Sequence, residues 1–136
     1  MARAYLDSNV VIRLVEGQPG PRASLATFLA AHLGSSPDYV VSDLVRLECG
    51  VKPIAEGDAA LLAVYERYFA SVDMTVVGLS SAVCDRAAHI RAHYRYGTPD
   101  ALHLAAAVEA GCEAFVTADA RLASFAEMPV ILVSPA

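Results

Sequence analysis

The feature that most restricts this chain's fold is the make-up of its short apolar runs. Ala4-Tyr5-Leu6, Tyr39-Val40-Val41, Met74-Thr75-Val76-Val77, Ala114-Phe115-Val116 and Val130-Ile131-Leu132-Val133 are apolar at consecutive positions, not at every second one. A strand with one wet face alternates, whereas a strand apolar on both faces must be covered on both. Between the runs, apolar residues recur at helical spacing, as in Val10, Val11, Leu14, Val15 and again in Leu61, Leu62, Tyr65, Tyr68, Phe69. Strand and helix therefore alternate. The pattern predicts an α/β fold with a central, mostly parallel β-sheet flanked by helices on both sides. Right-handed crossovers then bring the strands' carboxyl ends to one edge, where open sheets of this class bind ligands. The length suits one domain spanning residues 1–136, without repeats or linkers.

Local signals punctuate the elements. Ser8 is the expected cap of a first helix from about Asn9, and residues 17–21 (Gly-Gln-Pro-Gly-Pro) are expected to break it. A second helix carries Leu25, Phe28 and Leu29. Ser42 caps a third, which holds Leu44, Leu47 and Glu48 and is expected to end at Gly50 and Pro53. A fourth follows Asp58, and a fifth runs from Ser81 with Val83, Ala87, Ile90 and Tyr94 on its stripe. Gly97 is expected to close that helix in the left-handed conformation. Thr98 then reads as the next N-cap, Pro99 as a first helical residue and Asp100 as a first-turn acid, in a helix running to Gly111. A short helix is expected near residues 121–125.

Composition narrows the function classes. The hydrophobic fraction is 56%, yet no apolar run approaches the ~18 residues of a membrane span. Asp7 interrupts the start before any signal-peptide core, so a cytoplasmic protein is expected. The apolar excess suggests a covered surface, and we expect a homodimer using the helices at 58–70 and 81–95. Cys49, Cys84 and Cys112 fit neither a disulfide framework nor a zinc site and are expected to be buried thiols. A net charge of −5 argues against binding nucleic acid mainly by counterion release. Nine of the ten basic residues are arginine, however, the side chain that grips phosphate bidentately.

Four acids stand out by position. Asp7 follows the first strand and Asp119 follows the fourth, so both belong at the ligand-binding edge. Glu48 borders an apolar helix face, where a carboxylate is costly without a partner. Asp100 starts the helix that leads into the fourth strand. If all four meet, each pair 4 Å apart repels by about 4 kcal/mol at an effective dielectric near 20. Such a cluster persists only with cations in it or with some acids protonated. Oxygen ligands suit Mg²⁺ or Mn²⁺, which activate water and neutralise charge developing on phosphorus.

The set Leu6-Asp7-Ser8-Asn9, Glu48 on a helix, Pro99-Asp100-Ala101 and Val116-Thr117-Ala118-Asp119 resembles the PIN-domain ribonucleases. In size and motif order the chain looks most like the VapC toxins of bacterial toxin–antitoxin pairs. The resemblance implies that Asp7, Glu48, Asp100 and Asp119 are catalytic metal ligands and that Thr117 and Asn9 are auxiliary. It also implies Mg²⁺-dependent endonucleolytic cleavage of RNA, with Mn²⁺ as a substitute. The implied partner is a VapB-type antitoxin, through which alone operator DNA would be contacted. Ala118 departs from the polar residue of many relatives.

Further residues carry weaker signals. Arg13, Arg46, Arg91 and Arg95 are candidate RNA contacts, the last two within a run that also holds Tyr94 and Tyr96. His89 and His93 read as surface histidines, and His103, on Asp100's helix face, reads as a surface residue or one touching the rim of the site. Other classes fit poorly. An Asp-nucleophile phosphatase wants an aspartate where Asn9 stands, and a receiver domain wants a late lysine, but the one lysine is Lys52. The alternative that stays open is a catalytically silent PIN-like module binding protein or RNA.

Overall fold

The computed structural model describes residues 2–133. One sheet contains β1 (Arg3–Leu6), β2 (Asp38–Ser42), β3 (Met74–Val77), β4 (Ala114–Thr117) and β5 (Val130–Leu132), in the order β3-β2-β1-β4-β5. Every pairing is parallel, with Tyr5 opposite both Val40 and Phe115. The helices are α1 (Ser8–Glu16), α2 (Pro19–Leu33), α3 (Asp43–Ala55), α4 (Ala59–Phe69), α5 (Ser81–Tyr94) and α6 (Thr98–Glu109), followed by a short 3₁₀ helix at Ala120–Ser124. The α/β reading of the apolar runs holds. No described helix is long and apolar enough to cross a membrane.

Strand order reverses at β1. The chain moves outward from β1 to β2 and β3, then crosses over to β4 on β1's other side. Adjacent carboxyl ends from which the chain departs in opposite directions leave a crevice. Asp7 follows β1 there, and Thr117 ends β4. The Asp7 amide donates to the Val116 carbonyl at 3.0 Å, which ties the two ends together. β1 and β4 are buried almost throughout, with Tyr5 and Phe115 stacked at 5.3 Å.

Several local expectations give way to packing. Asp7, not Ser8, caps α1, its extended backbone placing the carboxylate on the Ser8 amide. Residues 19–21 begin α2 instead of ending a loop, because prolines in a first turn lack only N–H groups that would be unpaired. α3 runs through Gly50 and Pro53 to Ala55. Buried Val45, Cys49 and Pro53 hold it against its neighbours, and such packing outweighs propensity. The left-handed residue after α5 is Arg95 (φ 59°), while Gly97 is extended and precedes α6 as its cap. Stacking of Tyr94 on buried Tyr96 at 5.4 Å holds this unfavourable turn. Thr98 is already helical, and its hydroxyl accepts from Arg91 at 3.0 Å.

Cys49 is buried, which pushes its thiol up to about 12, but Cys112 is only partly covered and Cys84 is exposed. The expected burial of all three thiols is therefore wrong. The stripes of α4 and α5 face inward at Tyr65 and at Val83, Ala87 and Ile90. Large exposed apolar residues instead form a stripe on α3, at Leu47, Val51 and Ile54.

Gly17 marks a close approach, since a Cβ there would sit 2.4 Å from the Arg13 carbonyl oxygen. Gly17→Ala is expected to cost roughly 1–3 kcal/mol, as other overpacking does. A thermal melt should show a drop of several degrees. An unchanged midpoint would mean that the α1 terminus shifts at no cost.

Candidate functional site

Asp7 is 6% exposed at the head of the crevice. Its Oδ1 accepts from the Ser8 amide at 2.8 Å, and its Oδ2 accepts from the Thr117 hydroxyl at 2.7 Å and from Asn9 Nδ2 at 3.3 Å. Asn9 Oδ1 accepts the Ala118 amide at 3.0 Å, and Thr117 Oγ1 accepts the Asp119 amide at 3.0 Å. Thr117 and Asn9 thus lock the turn after β4 onto the turn after β1. Burial raises the Asp7 pKa; His103, where it carries a proton on both nitrogens, and the Thr117 and Ser8 hydrogen bonds oppose it, and the Asp100 charge adds to it.

Glu48 reaches the same place from α3. Its Oε1 accepts from the Ser8 hydroxyl at 2.6 Å and from His103 Nε2 at 2.6 Å. Because Asp7 caps α1 in Ser8's stead, the serine hydroxyl is available for Glu48. The His103 hydrogen bond is the main reason that the Glu48 pKa is lowered. His103 Nε2 also lies 3.7 Å from Asp7 Oδ1, so one imidazole stands beside two acids.

Asp100, in the first turn of α6, and Asp119, after β4, form a second pair around Arg121. Arg121 Nη2 lies 3.1 Å from Asp100 Oδ2 and 2.5 Å from Asp119 Oδ2. This guanidinium holds the Asp119 pKa below the usual carboxylate range. The cation required by clustered acids is supplied here by the chain itself. The acids stand as two bridged pairs, and among the described residues no three His, Cys, Asp or Glu side chains are close enough to hold a metal ion as they stand.

His103 corrects a sequence expectation. It is 2% exposed, on a helix whose Ala101, Leu104, Ala105, Ala106 and Ala107 are all buried. The signal was present in the sequence, because a helix apolar all round is a buried helix, and a histidine within it is buried too. Arg121 went unnoticed, although two residues after Asp119 it could reach back to that acid. The candidate RNA arginines have other placements. Arg13 is half-buried on α1, Arg46 pairs with Asp43 at 3.2 Å, and Arg91 donates to the Tyr96 carbonyl at 3.1 Å. Arg95 is exposed. His89 and His93 are exposed, as expected.

A family model described as "PIN domain" matches residues 4–128. The chain belongs to the PIN domain family. Solved structures share the fold of this PIN domain at low identity. A toxin–antitoxin complex from Klebsiella pneumoniae is 22% identical, covering 94% of this chain and 95% of that one, with a TM-score of 0.67. DNA-bound VapBC from Salmonella typhimurium is 16% identical over 96% and 97%, with a TM-score of 0.74. Mycobacterium tuberculosis VapC20, described as a sarcin-ricin loop cleaving toxin, is 17% identical over 93% and 98%, with a TM-score of 0.67. No curated protein matches the chain.

The lowered pKa values of Glu48 and Asp119 predict a pH dependence. A depressed carboxylate contributes stability that is present above its unfolded value, 4.5 or 3.8 here, and lost as pH falls through the folded one. Arg121→Gln should therefore reduce stability at neutral pH and make the loss below about pH 4 shallower. Melting curves from pH 7 to 3 check this, and parallel profiles for the two proteins would contradict it.

Proposed function

We propose that this PIN domain is a Mg²⁺-dependent endoribonuclease, the toxin of a VapBC-type pair, held in check by a VapB-type antitoxin. The observation that supports the reading is two bridged acid pairs at the switch-point edge of a PIN fold, Asp7 and Glu48 around His103 and Asp100 and Asp119 around Arg121, the second with a cation already lodged in it. The donor set fits a hard, oxygen-seeking ion, with Mn²⁺ as the substitute. Desolvated Asp7 gains most from a nearby positive charge, because burial is what raises its pKa. Arg121 occupies the place of such a charge between Asp100 and Asp119.

All four acids would hold the ion, with Thr117 and Asn9 fixing Asp7. When bound, the ion supplies Lewis-acid stabilisation of charge developing on the phosphoryl oxygens during attack by water. For it to enter, Arg121 must leave the acid pair. The side chain is exposed, so its departure needs no rearrangement of the core. Once released, its guanidinium is free to bind an RNA phosphate beside the acids, a role for which its planar fork is suited. Of the candidate RNA contacts, Arg46 would first have to leave its exposed pair with Asp43.

The same acids favour an antitoxin that presents an arginine, since Asp100 and Asp119 already accept one. Operator DNA would then be contacted through the antitoxin. A homodimer in the cytoplasm is the assembly we propose, with the α3 stripe of Leu47, Val51 and Ile54 as its apolar contact. A silent binding module is the lesser reading, because all four acids are retained.

The test is cleavage of total RNA with and without Mg²⁺, alongside calorimetric titration of Mn²⁺ into the metal-free protein. Cleavage should require the metal and disappear in Asp7→Asn. Arg121→Gln should bind Mn²⁺ more tightly than the wild type, because it removes the competing cation. Metal-independent cleavage, or no cleavage of any RNA class, would remove this reading.

A further inference from the structure

His103 lies at the centre of a buried hydrogen-bond chain linking four elements. Ser42 Oγ, at the end of β2, is 2.8 Å from Tyr5 Oη on β1, and Tyr5 Oη is 2.8 Å from His103 Nδ1 on α6. His103 Nε2 is 2.6 Å from Glu48 Oε1 on α3. Ser42 and Tyr5 are fully buried and His103 is 2% exposed, so water does not substitute for these partners. No described buried side-chain nitrogen or oxygen lacks a hydrogen bond.

With the ring neutral, the donors and acceptors fall into one order. An ionised carboxylate only accepts, so Nε2 must carry a proton and donate to Glu48. In the neutral ring Nδ1 then accepts from the Tyr5 hydroxyl, and Tyr5 Oη accepts from Ser42. Ser42 Oγ in turn accepts the Leu44 amide at 3.3 Å, its capping bond for α3, the helix that carries Glu48. The chain therefore closes on α3, one end at the helix cap and the other at Glu48 in its second turn. Both bonds on Glu48, from Ser8 and His103, end on Oε1, which leaves Oε2 to a cation.

We propose that His103 is a positioning residue, which sets the orientation of the Glu48 carboxylate and is itself held in one tautomer by Tyr5 and Ser42. This rests on the reading of Glu48 as a metal ligand. Its physical basis is general, since a ligand held by an outer partner binds without first losing rotamer freedom. Loss of such a partner typically costs 10–100-fold in metal affinity. Glu48 alone would be a flexible side chain at the rim of the crevice. Pinned at Oε1 from two sides, it presents one oxygen in one place.

Two amide substitutions separate the two ends of the ring. Gln places its amide nitrogen near the position of Nε2, and the shorter Asn places its amide oxygen near that of Nδ1, where it accepts from Tyr5. His103→Gln keeps a donor for Glu48, whereas His103→Asn keeps only the Tyr5 side. Calorimetry with Mn²⁺ should give an affinity within about threefold of wild type for His103→Gln and at least a tenfold loss for His103→Asn. Crystal structures of the metal-free variants should show Glu48 in place in the first and displaced in the second. Tyr5→Phe, which touches neither Glu48 nor Ser8, should produce a smaller loss of affinity. Equal affinities for the Gln and Asn variants, or Glu48 unmoved in the Asn variant, would overturn the proposal. If the wild type binds no Mn²⁺, the nuclease reading fails, and the metal-free crystal structures still decide whether His103 positions Glu48.

Discussion

The structure depends on β1 having parallel partners on both edges. A central strand paired on both sides and covered on both faces has no room for a polar side chain that does not find a partner. Tyr5 meets this demand with a hydroxyl hydrogen-bonded to both Ser42 and His103, accepting from the first and donating to the second, while its ring stacks on Phe115. Because strand order reverses beside β1, the first residue past its end enters the crevice. That residue is Asp7. Its burial, its raised pKa and its role as the cap of α1 are all consequences of where β1 stops.

Each of the four acids at this edge has a partner within the chain. Asp7 and Glu48 share the proximity of His103, and Asp100 and Asp119 share Arg121. The two arrangements differ in what they permit. His103 is enclosed and its hydrogen bonds are directional, so it acts as a fixed part of the frame. Arg121 is exposed, so its place between the acids does not depend on the core. One acid pair is thus held by an enclosed imidazole and the other by an exposed guanidinium.

The sequence pattern was informative where chemistry is local. Consecutive apolar residues in five short runs required a sheet covered on both faces, and helical spacing between them required crossovers; the parallel sheet followed. Asp7 and Asp119 were placed correctly at the sheet edge because a residue just past a parallel strand has nowhere else to go. Thr117 and Asn9 likewise lie where the motif order put them. Caps were less legible. Asp7 and Ser8 are both good capping residues and adjacent, and only the direction of the chain leaving β1 decides between them. The left-handed turn at Arg95, with Gly97 two residues away, is decided by the Tyr94–Tyr96 stack.

The sequence by itself determined the layer architecture and the placement of Asp7 and Asp119 at the crevice, since these follow from periodicity and from position relative to a strand end. Tertiary structure alone decided how those acids are paired. Glu48, Ser8 and His103 are far apart in sequence and meet only because α3, α1 and α6 converge on the carboxyl end of β1. Hydrogen bonds between such elements depend on ångström-scale distances and on which donors are already engaged. Neither quantity is encoded in the local pattern of any one segment.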